Sequence, residues 1–137
     1  MNPRKKLLVF VSFFVLAFIY YRLRVLLFYS DGGVSFLRGV TGLTIHHYHY
    51  GLIIVLIASL LLVFYRVDGF SVGLMGFGLG SVFDSFVSRL FSVSDRVREI
   101  SVYNESFVLT MIVFVNVVLL SLVFYLLEAR ARLSQKV

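Results

Sequence analysis

The chain has no cysteine and only one proline. Without cysteine there is no disulfide, no thiolate metal site and no cysteine nucleophile, and redox chemistry gives no clue to the compartment. The proline stands at position 3 and interrupts none of the long apolar runs. Charge is sparse, at 15% of residues, and the net +6 is dispersed between apolar runs rather than gathered into a patch. That argues against a nucleic-acid partner, which needs clustered cations to displace counterions. Cations placed this way fix membrane topology and meet anionic lipid.

Apolar residues make up 60% of the 137, and the mean hydropathy is +0.96. Soluble domains hold roughly 45–50%. A chain this short cannot hide the excess inside itself, so the solvent for most of it is lipid. Four segments are apolar enough to span: about 7–29, 45–65, 70–91 and 106–127. The last three match the roughly 20 residues a helix needs to cross about 30 Å of hydrocarbon. The first reaches that length if Arg22 and Arg24 extend their charged heads to the interface. It has a basic start but no small-residue cleavage pattern, so it reads as a retained helix and not a signal peptide.

The expected fold is therefore all-α: a multi-pass, four-helix transmembrane bundle in the cell membrane, with outer loops at about 30–44 and 92–105. Four spans put both tails on one side. That side carries Arg4, Lys5, Lys6, Arg66, Arg130, Arg132 and Lys136, against Arg22, Arg24, Arg38, Arg89, Arg96 and Arg98 on the other. The count is nearly even, but all three lysines and both basic tails favour cytoplasmic termini. Tyr20, Tyr21, Tyr48 and Tyr50 then fall at the outer interface. Asn104, Glu105 and Ser106 offer N-caps for the last span.

The third segment carries Gly69, Gly73, Gly76 and Gly80, small residues repeating every four or so, which let helices pack closely in lipid. Gly76-Phe77-Gly78-Leu79-Gly80 matches no phosphate-binding fingerprint and follows no strand, so no nucleotide motif is present. The short turn after Tyr65 makes the second and third segments an antiparallel hairpin.

All three histidines open the second segment: His46, His47 and His49. Imidazole is a common metal ligand and titrates near neutral pH. His46 and His49, three apart, share a helix face; His47 joins only if the helix begins after it. Asp84 is the sole acid inside an apolar segment, and intramembrane acids are costly and usually functional. It lies about 21 Å along the helix from Phe70, which brings it to the depth of the histidines on the neighbouring helix. Glu105, at the head of the last span, is a further candidate ligand, and Asp95 faces the same region. A His/Asp/Glu set without thiolates suits Zn²⁺ or another divalent transition ion. Haem is disfavoured, because its histidines are wanted on facing helices and these are all local. Alternatively Asp84 pairs with Arg22, Arg24 or Arg89 and only locks helices together.

His46-His47 followed by Gly51, then the run Gly78-Leu79-Gly80-Ser81-Val82-Phe83-Asp84 and an acidic polar loop, resembles a group of small uncharacterised integral membrane proteins of bacteria and archaea. The likeness covers about 44–107. It implies a shared polar site on His46, His47 and Asp84 and, loosely, Asp95 and Glu105, but no reaction. Thr44 stands where the group has another histidine, and Ser85 where it has a second acid. Two functions follow as expectations: a membrane protein with a divalent-metal or proton site near the outer face, or a small accessory subunit of a larger membrane complex. The partners expected are the lipid bilayer and other membrane subunits or further copies of the chain.

Overall fold

A computed structural model describes residues 1–28, 47–90 and 96–134, with the side chains at 26, 28, 88, 89 and 96–100 excepted. The described residues are helical, without strands. Among the described residues there are five helices, in chain order α1 (Pro3–Phe28), α2 (His47–Phe64), α3 (Gly69–Leu90), α4 (Arg96–Glu105) and α5 (Phe107–Ser134). Four of them, α1, α2, α3 and α5, are long and apolar enough to cross a membrane.

Local chemistry explains the boundaries. α1 begins earlier than hydropathy suggests because Asn2 caps it: the Lys5 N–H donates to Asn2 Oδ1 at 2.8 Å. Pro3 then occupies the first helical position, where its missing N–H costs nothing. α3 begins on a reciprocal cap, in which Ser71 N–H donates to Asp68 Oδ1 (2.9 Å) and Asp68 N–H donates to Ser71 Oγ (3.1 Å). The backbone cap from Ser71 N–H, helped by the Ser71 and Arg66 side chains, outweighs the opposing desolvation and leaves the Asp68 carboxyl below its usual range. α5 runs seven residues past the expected end at 127, and Arg132 bonds to Glu128 one turn back at 2.8 Å. At 28 residues it is about 42 Å long, so its last turns project beyond a hydrocarbon core of about 30 Å.

α3 is the central helix, with 56% of its span buried against 6% for α5. Its two small-residue faces explain this. A methyl group on Gly76 or Gly80 would run into the backbone carbonyls of Phe10 or Phe14 on α1, and one on Gly73 would meet the Phe13 ring. On the opposite face Gly78 abuts Val55 of α2, and Gly51 of α2 lies against the Gly78 carbonyl and Ser81. Gly69 is different: a methyl there meets nothing within 4 Å, so it is no packing residue. It follows the Asp68 cap, outside the helix interface.

α5 leans on α1 and α3 through aromatic contacts. The fully buried Phe14 ring stacks on Phe114 at 5.0 Å and meets Phe83 edge-on at 6.3 Å. Lys6 Nζ reaches Glu128 at 2.7 Å, which brings the two tails to the same end of the bundle. The stretch expected as an outer loop at 92–105 contains the helix α4. A turn at Ser106 joins it to α5, with Ser106 N–H donating to the Val102 carbonyl and Thr110 N–H to the Ser106 carbonyl, both at 2.9 Å. The Ser106 hydroxyl does not cap α5, because it donates back to the Tyr103 carbonyl at 3.1 Å.

Candidate functional site

At the end of the bundle opposite the tails, four helices converge on one carboxylate. Asp84, in the fifth turn of α3, is fully buried. His47, the first residue of α2, places Nε2 3.0 Å from Asp84 Oδ2. Tyr103, in the last turn of α4, donates its hydroxyl to the same oxygen at 2.7 Å. Arg22 of α1 sets Nε 3.1 Å from Oδ1. That last contact is an ion pair without hydrogen-bond alignment, so Oδ1 and Arg22 Nε lack an aligned partner.

The guanidinium is held by more than charge. It donates to the backbone carbonyls of Asp84 (3.3 Å) and Tyr103 (3.4 Å). Its carbon lies 3.8 Å from the centre of the Tyr103 ring and 5.1 Å from that of Phe107. A weakly hydrated planar cation tolerates such a site better than an ammonium would. Burial, and then the Asp84 charge and hydrogen bond, push the Tyr103 phenol upward, so the phenol stays protonated and donates.

His47 stacks on Tyr21 with ring centres 4.6 Å apart and planes 12° from parallel. Tyr21 is therefore a buried wall of the site, while Tyr20 and Tyr50 are exposed as an interfacial belt would have them. Among the four polar groups His47 is the least covered, with 18% of its side chain exposed against 10% for Arg22 and none for Asp84.

The sequence candidates separate as follows. His47 and Asp84 come together, and they do so with His47 as the first residue of α2 rather than ahead of it, as the helical spacing required. His49 packs its ring on Tyr48 at 3.8 Å. Glu105 is exposed and accepts a hydrogen bond from Ser101 one turn back. His46 and Asp95 lie outside the described residues. Of the three arginines weighed against Asp84, Arg22 pairs with it; Arg24 is exposed, and the Arg89 side chain is not described. Among the described residues no three His, Cys, Asp or Glu side chains meet as a metal-holding group. The pair His47 and Asp84 has the chemistry of a ligand with its orienting carboxylate. Two such groups fall short of the three or four protein ligands usual for zinc.

Tyr103 is the member that sequence reasoning missed, because its segment reads as a polar loop. The signal was present: Val97, Ile100 and Tyr103 recur every third residue, the spacing of one helix face.

Compared with known proteins, the chain matches no family model, no curated protein and no solved structure.

Proposed function

We propose that this is a multi-pass membrane protein, with cytoplasmic termini, that takes up a cation at His47, with Asp84 behind it as the orienting carboxylate. The observation that carries the reading is the contact of His47 Nε2 with a fully buried carboxylate, on the most accessible side of the cluster. An intramembrane acid bound to an imidazole is a recurrent device for holding a proton or a metal ion. Arg22 balances the Asp84 charge, and Tyr103 fixes the oxygen that the imidazole uses. The cation is a proton, or a divalent transition ion with further ligands drawn from His46 or His49. The likeness of His46-His47 and Asp84 to the small bacterial and archaeal membrane proteins is in keeping with this site. The basic collar at the tail end favours placing the tails in the cytoplasm.

The test has two arms, each run on wild type, His47→Ala and Asp84→Asn in detergent. Elemental analysis reads metal, and the imidazole NMR signals from pH 5 to 8 read protons. Stoichiometric metal lost in both variants assigns a metal. No metal, with a His47 titration that shifts in Asp84→Asn, assigns a proton. No metal and a His47 signal unchanged across that range refute the proposal and leave the cluster as a helix lock.

A further inference from the structure

A cleft of about 310 Å³ opens at the tail end of the bundle, far from the Asp84 cluster. Phe10 of α1 and Met75 of α3 belong to its floor, and Leu62 of α2 and Phe124 of α5 to its walls. Lys6 and Glu128 line it at the polar end. It exists because α2 and α5 both lean on α3 without forming a substantial interface with each other. The volume is at the lower end of ligand sites, roughly 300–1,000 Å³. That is room for part of one chain-like apolar group.

Two features name the occupant. The walls are stretches of membrane-spanning helices, and Phe124 among them is 68% exposed, so the cleft communicates with hydrocarbon. The end beside the tails is cationic: Arg4, Lys5, Lys6, Arg66, Arg130 and Arg132 stand there against Asp68, which pairs with Arg66, and Glu128. Glu128 is itself shared, with Lys6 at 2.7 Å and Arg132 at 2.8 Å on the same oxygen. An apolar slot under a cationic rim matches an amphiphile with an anionic head. We propose that the cleft binds an anionic phospholipid, one acyl chain lying between α2 and α5 and the phosphate resting on Lys6 and Arg132.

The chain has no tryptophan, so a single introduced indole reports its own surroundings. Tyr125→Trp, with Leu62→Trp as a second reporter, places it in the cleft; Leu60→Trp places it on an exposed face of α2 at similar depth. Each protein is reconstituted in vesicles containing brominated phosphatidylglycerol or brominated phosphatidylcholine. In the cleft reporters the anionic lipid is expected to quench with about fivefold preference, the effect of one cation near an anionic surface. The Leu60→Trp protein is expected to show little preference. Adding Lys6→Gln lowers the preference, and adding Glu128→Gln raises it by releasing both cations. Equal quenching by the two lipids in the cleft reporters, or the same preference in Leu60→Trp, overturns the proposal. Circular dichroism confirms helix content in each variant.

Discussion

Removing either charge at the centre of the site should destabilise the protein far more than removing both. Breaking a buried ion pair by deleting one partner typically costs about 3–5 kcal/mol, because the survivor stays buried and uncompensated. The two single variants differ here in predictable ways. After Asp84→Leu, Arg22 keeps two backbone carbonyls and the Tyr103 ring, so the loss falls near the lower end, about 3 kcal/mol. After Arg22→Leu, a fully buried carboxylate is left with only His47 and Tyr103, so the loss falls nearer the upper end, about 5 kcal/mol. The double variant removes both charges and strands mainly the Tyr103 hydroxyl, a penalty of about 1–3 kcal/mol. Denaturant titration in detergent micelles, followed by helix signal, measures all four proteins. A coupling of about 5 kcal/mol or more is expected. Costs that add to within about 0.5 kcal/mol would show that the two charges do not sense each other, and would refute the assignment.

Tyr103→Phe keeps the ring over Arg22 but removes a hydrogen bond to a carboxylate, so a loss of about 1.5–3 kcal/mol is expected in the same titration. Gly80→Ala drives a methyl into the Phe14 carbonyl and should cost about 1–3 kcal/mol, while Gly69→Ala has open space and should be neutral or stabilising by up to about 1 kcal/mol. Thermal melting of the two glycine variants side by side checks this, and equal effects would contradict the packing described. The depressed Asp68 carboxyl contributes stability that is present above its unfolded value, near 3.8, and is lost as pH falls through its lower folded value. Ser71→Ala removes the hydroxyl half of the cap and should flatten that acid-side loss in melts taken between pH 2 and 5.

The spans were legible in the sequence because lipid imposes a blunt rule: about 20 apolar residues for each crossing. The glycine spacing likewise anticipated α3 as the helix others press against, since only a missing side chain lets backbones approach so closely. What sequence could not resolve was rotation. Whether His46, His47 or His49 meets Asp84 depends on where α2 begins, and one residue turns a side chain about 100° around the axis. The same limit applies to Gly69, which shares the repeat of Gly73 but lies beyond the interface. Asn116, a polar residue in the middle of the last span, is exposed and donates to the Ile112 carbonyl of its own helix, which sequence alone does not distinguish from a bond between helices. α4 was hidden for a different reason. A short helix with low hydropathy earns its order from contacts with other segments, and those appear only when Tyr103 is seen on Asp84.

The turn at Ser106 ties α4 to α5 with one backbone hydrogen bond on each side, to the Val102 carbonyl and from the Thr110 N–H. Arg22 bridges the same turn: it donates to the Tyr103 carbonyl on α4 and lies over the Phe107 ring on α5. The Tyr103 phenol is in turn the shortest contact of the buried carboxylate. The guanidinium that balances the Asp84 charge is thus also the clasp of the joint that delivers Tyr103 to it.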